Sequence, residues 1–235
     1  MSTKKDPFIL ALPKGRVFKD FLPKLENTPF ALKDNFENSR KMLLDTRHPD
    51  LKVLIIRGWD VPAYITSGAA HLGVVGKDIL IEKEDEEFVE LLDLEIGKCR
   101  LSLAGKSNLN STSSRLRVAT KYPKSAISYM NSIGIQAEII YLHGSQEIAP
   151  VLGLADVIID LVDTGNTLKE NGMKELDKIS DISTRLIVNK ASLKTRSRLI
   201  AEITDALKCL CNLMNFPLLI KTFKLFLMHT SRKEG

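Results

Sequence analysis

The sequence predicts an α/β protein, and two observations carry that prediction. Short β-branched and leucine-rich runs alternate with helix-length segments along most of its 235 residues, and one polar stretch separates two regions that each hold both kinds. Strands are expected at 8–12, 52–56, 72–75, 116–119, 137–142 and 157–162, and alternation of this sort calls for a parallel or mixed sheet. Helices are expected at 17–25, 62–66, 124–133 and 146–152, with Asp60 capping the second and Ser145, followed by Glu147, capping the fourth. The polar stretch KSNLNSTSS (106–114) has the composition of a surface connection and is read as the domain crossover. A strand at 184–188 and a long amphipathic helix over about 193–213 would return the chain to the first domain. Domain I is therefore expected over 1–105 with about 186–235, and domain II over about 106–185.

Composition narrows the class. With 44% apolar and 27% charged residues, the chain can bury an ordinary core without disulfides or metals. Cys99, Cys209 and Cys211 fit neither a disulfide framework nor a zinc ribbon, and no export signal follows the polar first residues, so a cytoplasmic location is expected. The apolar run 216–228 falls short of the ~20 residues a spanning helix needs and is broken by Lys221 and Lys224, so no membrane is expected. Of the +5 net charge, the last fifteen residues hold +3, and no basic stripe interleaved with aromatics appears, so no nucleic acid is expected.

The most informative segment is DVIIDLVDTGNTLKEN (156–171), where a buried-strand pattern ends in a Thr/Gly/Asn loop and resumes as a helix. Gly165 lets the backbone approach a ligand, Thr164 and Thr167 add hydroxyl donors, and the N–H groups at the following helix start face an anion. Asp160 and Asp163 cannot themselves bind phosphate, but they suit sugar hydroxyls or a nearby Mg²⁺. A plain capped helix with exposed acids explains the same pattern about as well. Gly105-Lys106-Ser107 is no P-loop, because the first glycine that motif requires would stand at Arg100.

Other strand ends carry cations: Lys14-Gly15-Arg16 after the first strand, Arg57 after the second, and Gly76-Lys77-Asp78 after the third, with Arg40 a further candidate. Each alone reads as well as a solvated turn or, for Arg57 at a strand end expected to be buried, as half of a protein ion pair. Ligands of open α/β sheets bind beyond the carboxyl ends of strands, so the turns together favour one ligand crevice. His48, His71, His143 and His229 are isolated and read as structural or exposed, and the acidic run 82–87 as solvated.

The chain resembles the short-form catalytic subunit family of ATP phosphoribosyltransferase. The resemblance is carried by LPKGR (12–16), SRK (39–41), DVP (60–62), LGVVGKD (72–78), ELLDLEIGKCRL (90–101), RVATKYP (117–123), GSQEIAP (144–150), LADVIIDLVDTGNTLKENG (154–172) and TRLIVNKASLK (184–194), in order over about 8–207. It implies two periplasmic-binding-protein-like domains with a ligand cleft between them, taking ATP and phosphoribosyl pyrophosphate (PRPP). It further implies that Thr164, Gly165, Asn166 and Thr167 hold the PRPP 5′-phosphate and that Glu147 and Asp163 hold ribose hydroxyls, with Asp160 nearby. Lys14, Arg57, Asp60 and Lys77 match positions around ATP, and Arg16 and Arg40 match arginines expected to stabilise departing pyrophosphate as N1 of adenine attacks C1 of the ribose. Mg²⁺ is the implied cofactor, held mainly by substrate phosphates rather than by a protein metal site. A homodimer assembling with a regulatory subunit similar to histidyl-tRNA synthetase is the implied partnership.

The chain departs from that family at Gly58-Trp59 and at His71, on the adenine side, and in the tail from Cys209. A tail that covers the core or docks a partner is favoured over one that touches membrane. The competing class is a binding module, which the same fold serves without chemistry.

Overall fold

The computed structural model describes residues 6–33, 41–83, 87–106 and 115–214, and the chain divides into two compact units. Unit 1 comprises Met1–Val75, Glu86–Ile96 and Arg185–Gly235, and unit 2 comprises Gly76–Asp85 and Gly97–Thr184.

Unit 1 is built on a six-stranded sheet. Its strands are β1 (Phe8–Pro13), β2 (Leu43–Asp45), β3 (Leu51–Ile56), β4 (Leu72–Gly76), β5 (Phe88–Asp93) and β11 (Thr184–Asn189), in the order β2-β3-β1-β4-β11-β5. β1 runs parallel to both β3 and β4, while β2 and β5 pair antiparallel at the two edges. β1 reads FILALP and is buried at nearly every position, as a central parallel strand must be when both faces are covered. Helix α1 (Arg16–Glu26) turns Phe18, Phe21 and Leu25 onto this core, and α8 (Ser197–Met214) adds Ile200, Ile203 and Leu207 at helical spacing. Each such side chain contributes about 1.5–3 kcal/mol.

Unit 2 holds a five-stranded sheet of β6 (Cys99–Gly105), β7 (Leu116–Thr120), β8 (Ala137–Tyr141), β9 (Val157–Val162) and β10 (Lys174–Ile182), in the order β10-β6-β9-β7-β8. β7, β8 and β9 are parallel and β6 is antiparallel to β9 and β10, so β7, β8 and β9 end on one edge. Its helices are α3 (Lys77–Lys83), α4 (Pro123–Ser132), α5 (Ile148–Val151) and α6 (Asn166–Glu170).

Several expectations change. The stretch 106–114 joins β6 to β7 of one sheet, so it is not the crossover; the chain passes between units at 75/76, 85/86, 96/97 and 184/185 instead. The long C-terminal helix is two helices, α7 (Lys190–Thr195) and α8, broken at Arg196. Helix α2 (Val61–Thr66) has no side-chain cap from Asp60. Ser145 stands at φ 56° and α5 begins after Glu147 without a side-chain cap. Helix α7 is capped by Asn189, whose side chain accepts from Ser192 N–H at 3.0 Å. Glu82 is buried rather than solvated. Among the described residues no helix is long and apolar enough to cross a membrane, and the run 216–228 lies outside them.

Candidate active site

In unit 2 the site grows from the carboxyl end of β9. The strand's apolar residues Val157, Ile158, Ile159 and Val162 are buried, and the chain then leaves the sheet through Asp163 and Thr164. Gly165 adopts φ 78°, ψ 6°, the left-handed conformation that glycine takes without cost, and α6 begins at the next residue. Asn166 N–H points back toward Thr164 Oγ1 at 3.4 Å, which folds the loop on itself. A recess of about 150 Å³ opens here, lined by Glu147, Asp160, Asp163, Thr164, Gly165 and Thr167 above an apolar floor that includes Ile158 and Leu168. Six of the seven residues expected to hold PRPP thus line one recess, while Asn166 stands in the loop without lining it. The recess is smaller than the ~300–1,000 Å³ of sites that enclose a whole drug-sized ligand, so it suits one end of a substrate.

The charges of this recess are tuned by burial. Burial pushes the Asp160 carboxyl up to about 6, the Leu161 N–H at 2.8 Å opposes that rise, Glu147 and Asp78 add to it, and Lys121 also opposes it. Asp78 is itself buried and raised for the same reason, and Tyr122 Oη donates to its Oδ2 at 2.9 Å.

Sequence reasoning missed the brace beneath the loop. Arg100 on β6 donates through Nε and Nη2 to both oxygens of Glu175 on β10, at 2.6 and 2.5 Å, and through Nη1 to the Asp163 carbonyl at 2.9 Å. Ser102, whose Oγ donates to Glu175 at 2.7 Å, lines the recess. The available signal was the alternation CRLSLAG, which places Arg100 and Ser102 on the same face of a strand.

In unit 1, β1 and β3 end side by side: Pro13 pairs with Ile56, and Lys14 N–H donates to the Ile56 carbonyl at 2.8 Å. The turns that follow carry Lys14, Gly15 and Arg16 after β1, and Arg57 through Asp60 after β3, so the expected ATP-side residues Lys14, Arg57 and Asp60 adjoin one another. Gly15 has φ 93°, a conformation a side chain would strain. Arg16 opens α1, exposed, with Nε 4.0 Å from Asp20. Arg57 is exposed, contrary to the expectation of a buried strand end that requires an anionic partner, because β3 stops at Ile56 and the chain turns outward. Lys77 opens α3 in unit 2, its N–H donating to the Ser183 carbonyl at 2.9 Å. Arg40 lies outside the described residues. His71 is structural: its Nδ1 accepts from Ile9 N–H at 3.0 Å, and its ring stacks on Phe8 at 4.6 Å.

Two α/β units with turns at the carboxyl ends of parallel strands define the class of periplasmic-binding-protein-like folds. The periplasmic aliphatic sulphonate binding protein SsuA from Escherichia coli superposes with a TM-score of 0.56 at 13% identity, covering 89% of this chain and 74% of that one, a likeness of fold alone. The sequence model of HisG, ATP phosphoribosyltransferase, matches residues 57–209, and the chain belongs to that family. It is 50% identical over 197 residues to the ATP phosphoribosyltransferase of Nitrosococcus oceani, covering 84% of this chain and 92% of that one. It is 47% identical over 201 residues to that of Alcanivorax borkumensis, covering 86% and 94%. Among solved structures, the ATP phosphoribosyl transferase (HisG:HisZ) complex from Thermotoga maritima matches with a TM-score of 0.77 at 33% identity, covering 87% of this chain and 98% of that one.

Proposed function

We propose that the chain transfers the 5-phosphoribosyl group of PRPP to N1 of the adenine of ATP, forming N1-(5-phosphoribosyl)-ATP and pyrophosphate, the first step of histidine biosynthesis. The observation that carries this reading is the recess at 163–167, which gathers hydroxyls, a left-handed glycine and carboxylates inside the segment matched by the family. Thr164 and Thr167, with backbone N–H groups of Gly165 and Asn166, take the 5′-phosphate. Glu147 and Asp163 accept hydrogen bonds from the ribose hydroxyls, with Asp160 beside them. Lys14, Arg57, Asp60 and Lys77 receive ATP.

The reaction requires no protein nucleophile. The N1 lone pair forms the new bond to C1 as the C1–oxygen bond breaks, and that electron pair leaves with pyrophosphate. What the chain supplies is alignment of the two substrates and positive charge where the leaving group gains negative charge, the role assigned to Arg16 and Arg40.

Among the described residues no group of three or more His, Cys, Asp or Glu side chains is arranged to hold a metal ion, while Asp160 and Asp163 offer the oxygen donors that Mg²⁺ takes. The Asp160 and Asp163 carboxylates would fit an Mg²⁺ ion brought by the substrate phosphates. When bound, Mg²⁺ neutralises part of the pyrophosphate charge.

A homodimer in the cytoplasm, joined by a regulatory subunit similar to histidyl-tRNA synthetase, completes the reading; the HisG:HisZ complex supports a second, HisZ-like subunit. Incubating the purified chain with ATP, PRPP and Mg²⁺ and identifying the nucleotide product by mass and NMR tests it. A phosphoribosyl group on N1 is expected. PRPP binding without product, with a regulatory subunit present, would leave a ligand-binding module.

A further inference from the structure

The turn after β7 is fixed more firmly than its position demands. Thr120, the last residue of β7, pairs with Ile159 of β9, and its Oγ1 donates to the Ile159 carbonyl at 2.6 Å. Lys121 thus leaves the sheet level with Asp160, on the edge from which the 163–167 loop also departs. On its other side, Tyr122 N–H donates to Thr120 Oγ1 at 2.9 Å and Tyr122 Oη to the buried Asp78 at 2.9 Å. Glu82, one turn further along α3, accepts from Lys124 N–H at 3.0 Å, from Ser125 N–H at 2.7 Å and from Ser125 Oγ at 2.6 Å. Two buried carboxylates of α3 therefore hold the start of α4, and the backbone is pinned before and after Lys121 while that residue remains half-buried. A side chain on a backbone so constrained is preorganised.

Charge gives the preorganised cation its task. Glu147, Asp160 and Asp163 line the recess, and a phosphorylated ligand adds further negative charge to it. Arg100 reaches the Asp163 carbonyl but is neutralised by its two-point pair with Glu175. Lys121 follows Thr120, whose partner Ile159 directly precedes Asp160 of the recess lining, so its backbone stands beside the recess, and its charge opposes the rise of both Asp160 and Asp78. Building on the phosphoribosyl reading of this recess, we propose that Lys121 is a substrate-binding residue that holds an anionic oxygen of the phosphorylated sugar, with Asp78 and Glu82 as the residues that position it.

The test uses the full chain and its variants Lys121→Met and Lys121→Arg, with ribose 5-phosphate and inorganic pyrophosphate as calorimetric probes, beside steady-state KM values for PRPP and ATP. Lys121→Met is expected to weaken at least one probe, and to raise the KM for PRPP, by about tenfold or more, the scale of one charge-assisted hydrogen bond. The KM for ATP and the melting temperature stay unchanged, and Lys121→Arg recovers most of the loss. The probe that weakens more identifies which phosphate Lys121 holds. Wild-type affinity of Lys121→Met for both probes, with turnover intact, overturns the inference and leaves the transferase reading standing. A wild-type chain that binds ribose 5-phosphate through Lys121 yet forms no product supports the inference and overturns that reading instead.

Discussion

Arg100 and Glu175 form a two-point ion pair at 2.6 and 2.5 Å, and the third arm of the same guanidinium holds the carbonyl of Asp163, the first residue of the candidate phosphate loop. The pair keeps the Glu175 carboxyl below its ordinary range, with the Ser102 hydroxyl assisting. Because the guanidinium bridges β6, β10 and the loop, its work is to fix where the loop leaves the sheet.

Truncating that brace leaves every expected substrate contact in place but loosens their geometry. Arg100→Ala is expected to lower kcat/KM for PRPP by roughly ten- to a hundredfold, the cost of a small misplacement at a reacting centre. Steady-state kinetics checks this, with Arg100→Lys recovering little because an ammonium cannot grip two oxygens and a carbonyl in one plane.

Asp160 sets a conflict between folding and binding. Its folded-state value, about 6, lies above the ordinary 3.8, so the ionised form is disfavoured in the folded chain and the site costs stability above pH 6. That cost fades as pH falls from about 6 toward 4. Asp160→Asn is therefore expected to stabilise the chain at pH 8 by on the order of 2–3 kcal/mol, with the gain vanishing near pH 4. The same substitution raises the KM for PRPP. Urea titrations at the two pH values, read beside kinetics, check both halves.

His71 behaves in the opposite sense. Burial lowers its proton affinity, Arg196 lowers it further and Asp6 opposes, while Nδ1 must stay unprotonated to accept from Ile9 N–H. Stability is then full above the unfolded value of 6.5 and declines as pH falls below it, until the lowered folded value is passed. His71→Asn, which keeps an acceptor but does not titrate, is expected to show a smaller loss of urea midpoint between pH 8 and pH 5 than the wild-type chain.

What was legible in the sequence follows the range of the forces involved. β1, β3, β4, β7, β8 and β9 are short, mainly apolar runs rich in β-branched residues and leucine, so their composition marks them locally, and the DTGNT loop announces itself through a glycine that must turn left-handed. β10 reads KELDKISDI, mostly polar, and becomes a strand only because β6 pairs with it some seventy residues away. The domain crossover failed for the same reason: the polarity of 106–114 marks a surface connection, but which sheet β6 joins is decided by β9 and β10. Glu82 looked solvated within an acidic run, and its burial depends on the start of α4, forty residues on, needing an acceptor for its N–H groups. The Asp60 and Ser145 caps failed because composition permits a cap without supplying the backbone geometry it needs. In the site, the residues expected to touch substrate are legible as motif, whereas Arg100, Glu175 and Asp78, which brace the elements around them, act through long-range contacts.

Pyrophosphate release reports whether ATP displaces pyrophosphate from PRPP with Arg16 at the leaving group, as proposed. The purified chain with Mg²⁺, PRPP and ATP, supplemented with a HisZ-like subunit where required, is expected to release pyrophosphate, and omission of ATP to abolish the release. Arg16→Ala is expected to lower kcat by about a hundredfold, roughly 3 kcal/mol, as loss of one oriented cation at a developing anion should. Release that proceeds equally without ATP, or an Arg16→Ala chain as fast as wild type, would contradict the account.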